Sequence, residues 1–206
     1  IYLDYNATTP LDAEVQSEML PYLDGIFGNP SSVHHLGRSA RAALDEFRYN
    51  IAALWHCKPS EIIFTSGGTE SNNLAIIGAA RARASVGKHL ITSQIEHHAV
   101  LHTFEYLAQH EGFELSLVPV SPQGLVDCSE LAQLIRSDTT LVSIMAANNE
   151  MGTIQPYAEI GKLCAEKGVL FHTDAVQAAG KLPFTSIQQF NADLVSFCAH
   201  KFHGPK

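Results

Sequence analysis

Long apolar runs, paired cysteines, basic clusters and low-complexity tracts are all missing from this sequence of 206 residues. No stretch approaches the roughly 20 apolar residues that a membrane-spanning helix needs. The start at Ile1 also lacks the basic-then-apolar order of a signal peptide. A cytoplasmic protein with no membrane partner is therefore expected. Cysteines number only four, Cys57, Cys128, Cys164 and Cys198, and no two form a CxxC pair. That spacing argues against a structural zinc site or a redox dithiol, and for reduced thiols. Lys and Arg total 13 against 21 Asp and Glu, a formal charge of -8, with no basic run. A surface of that sign repels phosphate backbones, so no nucleic acid partner is expected. With no linker rich in Pro, Gly or Ser and no internal repeat, one domain over residues 1–206 is the economical reading.

What is present is a hydrophobic content of 46%, enough for a real core, and a regular alternation of two periodicities. Short β-branched runs at 61–65, 89–93, 114–120, 141–146, 169–173 and 193–197 read as strands. Between them, segments of helical period predict helices at 12–23, 36–55, 70–84, 100–111, 129–136 and 157–167. Pro21 is expected to end the first helix early, Ser129 to cap the fifth, and Gly112 and Gly168 to stop the helices before them. Strands alternating with helices are the pattern of βαβ units, hence an α/β fold with a mostly parallel sheet covered on both faces.

Several side chains fall where such a sheet presents ligands, at the carboxyl ends of its strands. Gly68 and Thr69, in Thr65-Ser-Gly-Gly-Thr-Glu70, open a helix whose first N–H groups are free to bind an anion. The loop lacks the GxxxxGK[ST] spacing of a P-loop, and a plain glycine turn explains it equally well. Asp174 follows the apolar run from Val169. A carboxylate there is costly unless a cation meets it, such as a protonated pyridine nitrogen, although a helix N-cap is the rival reading. Lys201 ends the run Ser196-Phe-Cys-Ala-His-Lys201. Most lysines are surface groups, but this one lies one strand–crossover–strand length after Asp174, so both can open onto one crevice. A partly desolvated lysine amine attacks aldehydes. His97 follows the 89–93 strand, and its imidazole can stack on a ring, cap a helix, or bind metal with other histidines; adjacent histidines point apart and no HExxH spacing exists. Asn149 and Gln177 are neutral donors at further strand ends.

These segments together resemble the cysteine desulfurases of the nitrogen-fixation and iron–sulfur-assembly type, within the class V aminotransferase family of fold type I pyridoxal-5'-phosphate (PLP) enzymes. The matching runs are Tyr2–Pro10, Phe27–Ser32, Thr65–Asn73, Glu96–Leu101, Asn148–Gly152, His172–Gln177 and His200–Lys206, in family order over nearly the whole chain. The resemblance implies a three-layer aminotransferase-like large domain, its mixed sheet mostly parallel, and a small C-terminal domain absent from this chain. It implies that Lys201 forms the Schiff base with PLP, His97 stacks on the ring, Asp174 pairs with the pyridine nitrogen, and Asn149 and Gln177 reach the ring hydroxyl. Gly68, Thr69 and His200, with Cys198 at a position the family fills with serine, would cradle the phosphate, and Ala199 beside them would also contact the cofactor. It further implies a homodimer that converts L-cysteine to L-alanine and delivers the sulfur, through an enzyme cysteine persulfide, to an iron–sulfur scaffold or other acceptor protein.

Two departures stand out. The family's Ser-Gly-His-Lys run is here Cys198-Ala-His-Lys201, and a thiol is a weaker donor than a hydroxyl, so a looser hold on phosphate is expected. None of the four cysteines matches the persulfide-forming position, which in the family follows the lysine motif. The chain is thus expected to be an inactive part of a longer desulfurase, its N-terminal segment packing near the missing small domain. The rival readings are a selenocysteine lyase, an aminotransferase, or a fragment that merely binds PLP.

Overall fold

A computed structural model describes residues 1–206. Five strands form one sheet in the order β2-β1-β3-β4-β5, where β1 is His89–Ser93, β2 Glu114–Val118, β3 Thr139–Ser143, β4 Leu170–Asp174 and β5 Leu194–Ser196. Every pairing is parallel, with Ser93 opposite Val118, Val142 opposite Phe171 and Asp174 opposite Ser196. Parallel neighbours need crossovers, and helices supply them: α4 (His98–His110) after β1, α5 (Cys128–Leu134) after β2, and α6 (Tyr157–Lys167) after β3. With α3 (Gly68–Arg83), α4 packs on one face, joining Ile76, Ala80, Val100, Phe104 and Leu107 to Leu90 and Leu141. On the other face α5 and α6 set Leu131, Ile160 and Cys164 against Ile91, Val142 and Phe171. The result is the expected three-layer arrangement, its sheet wholly parallel over these residues. No helix is long and apolar enough to cross a membrane.

The central strands β1 and β3 are buried along their whole length and still carry polar side chains. These pair sideways with neighbouring strands. His89 meets Thr139 (2.7 Å) and Ser116 (2.8 Å) through its two ring nitrogens. His172 meets Ser143 (2.7 Å) and Ser196 (3.1 Å) likewise. Burial holds His172 neutral, its pKa pushed down to about 3. A neutral ring with both nitrogens engaged satisfies a buried polar group without burying a charge.

Several sequence-based expectations require correction. Residues 61–65 form no strand: Pro59–Glu61 is a short 3-10 turn, and the extended stretch after it has no paired neighbour. A groove of about 1280 Å³, lined by Ile62, Phe64, Val195 and Phe197 among others, separates it from the free edge of β5. Apolar alternation makes a chain extended, but a strand also needs a partner for its N–H and C=O groups. Helix α1 (Ala13–Leu23) runs through Pro21, which does not end it early. A proline removes one bond to the preceding turn and leaves the following residues free to continue. The cap of α5 is Asp127, whose carboxylate accepts the Ser129 N–H at 2.7 Å, and not Ser129. Gly168 ends α6 in the left-handed region as anticipated, with φ 70°.

Candidate active site

In a sheet of order 2-1-3-4-5 the crossovers reverse direction between β1 and β3, which leaves a crevice outside the carboxyl ends of those strands. A cleft of about 720 Å³ opens along this edge, and Gly68, Thr69, His97, Asn149, Asp174, Gln177, Cys198, His200 and Lys201 all line it. Ala199 lines the adjoining groove instead. Segments that follow four different strands, with the start of α3, thus bring nine of the ten candidate residues into one space.

Asp174 is the last residue of β4 and only 6% exposed. Its Oδ1 accepts the Val176 N–H (2.9 Å), which fulfils the turn-capping role, and its Oδ2 accepts Asn72 Nδ2 (2.7 Å). Burial still raises its pKa, against the pull of those bonds and of the charges on His97 and Lys201. A carboxyl so placed has room for a cationic partner on its open side. His97 caps α4, its Nδ1 accepting the Ala99 N–H at 3.1 Å. That bond puts the proton of a neutral ring on Nε2, and the ring lines the cleft. Capping and lining the site are therefore not alternatives here.

At the start of α3, Gly67 stands outside the helix in extended backbone, and the Gly68 and Thr69 N–H groups make no bond within the chain. A β-carbon on Gly68 would lie 3.2 Å from Val176 and 3.4 Å from Cys198, tighter than ordinary packing. The cradle therefore needs a small residue at this point. Ser71 Oγ donates to Ser196 Oγ (2.9 Å), so with Asn72 the first turn of the helix is fastened to β5 and β4. These donors and the positive end of the helix suit an anion.

Lys201 and His200 sit in a 3-10 turn after β5. Lys201 Nζ donates to the carbonyls of Asn6 (2.6 Å) and Ala7 (3.0 Å). Thr9 ties the same turn down, donating from Oγ1 to the His200 carbonyl (2.9 Å) and accepting the His203 N–H (2.7 Å). Gln177 Nε2 donates to the Asn6 carbonyl (2.9 Å), and Lys181 Nζ reaches Asn6 Oδ1 (3.2 Å) and Gln177. Asn6 Nδ2 in turn donates to the Asn149 carbonyl (3.2 Å). Asn6, Asn72 and Glu96 carry no signal in the sequence that marks them as site residues. All three lie inside or beside quoted motifs, yet their partners lie 102 to 195 positions away or, for Glu96, on the turn after β3. No group of three or more His, Cys, Asp or Glu is placed to hold a metal ion.

Comparison with known proteins gives a consistent result. The family described as aminotransferase class V matches residues 1–206. Cysteine desulfurase IscS of Dictyoglomus turgidum is 52% identical over 206 residues, covering 100% of this chain and 52% of that protein. The mitochondrial cysteine desulfurase of Candida albicans is 49% identical over 207 residues, again across the whole chain but 42% of its own length. Among solved structures, a NifS-like protein superposes with a TM-score of 0.95 at 44% identity, covering 100% of this chain and 56% of that one. SspA in complex with cysteine gives 0.92 at 41% identity, covering 100% and 58%. The chain spans about half the length of the relatives it matches.

Proposed function

The chain belongs to the class V aminotransferase family, and from that premise we propose that its 206 residues are the PLP-binding large domain of a cysteine desulfurase. The observation that carries the reading is the convergence of Asp174, Lys201, His97 and the free N–H groups of α3 on one cleft. PLP, when bound, supplies an aldehyde and an electron-accepting ring. Lys201 would hold the group through its primary amine, and its Nζ would carry protons beside the substrate. Asp174 would pair with the ring nitrogen and favour its protonated form, which would offset the cost of burying the carboxylate. His97 would stack on the ring and exchange protons through Nε2. The Gly68 and Thr69 N–H groups with His200 would hold the phosphate, and Asn149 and Gln177 would serve the ring hydroxyl.

The substrate is L-cysteine, the products are L-alanine and a persulfide on a cysteine outside these residues, and the sulfur acceptor is an iron–sulfur scaffold or similar protein. The enzyme acts in the cytoplasm as a homodimer. Support comes from desulfurase relatives near 50% identity and from the neighbour whose structure holds cysteine. Incubated with L-cysteine and a thiol reductant, the complete protein is expected to release alanine and sulfide in equal amounts; sulfide without alanine would reject the reaction. Lys201→Ala is expected to abolish both, together with the PLP absorbance near roughly 400 nm that a lysine-bound chromophore of this kind produces.

A further inference from the structure

Glu96 is a buried carboxyl, 5% exposed, with no role in holding the cofactor or moving protons. Its Oε1 accepts two donors at once, Ser93 Oγ at 2.6 Å and the Met145 N–H at 3.0 Å, while Oε2 is buried with no partner at all. Burial lifts its pKa to about 8, and the nearby charge of Asp174 adds to the rise. Near neutral pH it therefore carries a proton, which avoids a buried anion with one oxygen left bare. A buried acid that persists in this state requires a reason.

The reason lies in what its bonds connect. Residues 94–97 form the turn that leaves β1 and ends at His97; residues 144–149 leave β3 and end at Asn149. Glu96 reaches from the first turn to the backbone of the second at Met145. Asn148 reaches back, donating from Nδ2 to the Ile95 carbonyl at 3.0 Å. Its Oδ1 meanwhile accepts the Glu150 and Met151 N–H groups at 2.9 and 2.8 Å, which shapes the backbone around Asn149. These side chains join the two turns where the crossover directions diverge and a crevice would otherwise widen.

We propose that Glu96 is a positioning residue whose carboxyl oxygen fastens the turn presenting His97 to the turn presenting Asn149, so setting the width of the slot that receives a planar ring. The inference rests on the PLP reading. In the complete protein, Glu96→Leu keeps the bulk and removes the acceptor, whereas Glu96→Gln keeps an acceptor oxygen in place. PLP titration and the visible circular dichroism of the saturated protein, which reports how rigidly the ring is seated, are the measurements. The Leu variant is expected to bind PLP roughly tenfold more weakly, the loss expected when the one of the two Glu96 bonds that spans the turns, to Met145, is left unmade, and to give a weakened dichroic band per bound cofactor. The Gln variant is expected to restore both to within about threefold.

Should the Leu variant fail to fold, Glu96→Asp, which retains a carboxyl too short to reach Met145, is read in the same way. Wild-type binding with an unchanged Leu or Asp variant overturns the role of Glu96 alone, as does a Gln variant that behaves like Leu. A wild-type protein that takes up no PLP overturns the cofactor reading and this inference with it.

Discussion

Before Gly68 only Thr9, Gly37 and Ala52 are buried; from Gly68 onward the sheet and its four covering helices enclose nearly the whole core. The first part has no shortage of apolar residues. Leu20, Leu23, Phe27, Phe47, Tyr49, Leu54 and Ile63 are all more than a third exposed. Helix α2 (His35–Leu54) is amphipathic, yet between Gly37 and Ala52 none of its residues is buried. An apolar stripe shapes a helix whether or not a surface receives it, and burial depends on a second element being there. Stability should accordingly be concentrated after Gly68, while the first part contributes to the site by a few specific bonds.

Paired truncations test that contrast most severely. Phe104→Ala, in the fully buried face of α4, is expected to cost about 3–5 kcal/mol in chemical denaturation. Phe47→Ala on α2, 40% exposed, is expected to cost less than about 1 kcal/mol. Equal losses would mean that the first part is packed far better than its exposure implies.

The pH dependence of stability should also belong to the second part. His172 has its pKa depressed to about 3 by burial, below the ordinary 6.5, so the unfolded chain binds a proton that the fold refuses. Stability present above pH 6.5 is lost as pH falls toward 3, by a few kcal/mol at the limit. Glu96, raised from 4.5 to about 8, acts oppositely: the fold keeps a proton that the unfolded chain releases, so stability falls as pH rises through that window. Asp174, also raised, adds to the same side. Denaturation midpoints across pH 3 to 9 should flatten on the acid limb in His172→Gln and on the alkaline limb in Glu96→Gln; unaltered slopes would remove these residues from the account.

Thr9 is the exception that sharpens the comparison, since a residue of the first part holds the turn that carries Lys201. Thr9→Val is expected to cost about 1–3 kcal/mol through unmade buried bonds, and to weaken PLP binding more than Phe47→Ala does. Cys198→Ser, which places a stronger donor beside Gly68, is expected to tighten PLP binding by roughly two- to fivefold in titration. The smallest effect belongs to the surface pair Arg41–Asp45 on α2, 2.9 Å apart with both side chains at least half exposed. Asp45→Ala is expected to change stability by less than about 0.5 kcal/mol.

Much of this was legible in the chain, and the exceptions share a cause. The expected bounds of β1 and α6 match the structure to their end residues, because β-branching in the one and helical period with a stop glycine in the other all agree. Residues 61–65 read as a strand on the same grounds and are not one, since alternation records a preference for extension and says nothing about a neighbour. The cap of α5 lies two residues before Ser129 because the Asp127 carboxylate accepts both the N–H and the hydroxyl of Ser129, which leaves Ser129 a donor within the first turn. In the site, residues at strand ends were legible, because a polar group closing an apolar run is visible in one dimension. Glu96, Asn72 and Asn6 were not, because what distinguishes them is a partner supplied by another segment.

By itself the amino-acid order determined the alternation of strands and helices, the strand ends at which ligand-facing side chains stand, and the chemistry those side chains can perform. All of these depend on local periodicity and residue type. Only the tertiary structure decided that Asp174, Lys201 and His97 share a cleft, that His172 stays neutral between Ser143 and Ser196, and that Glu96 keeps its proton. Burial and long-range hydrogen bonding set charge states and distances, and both arise only when segments far apart in the chain are brought together.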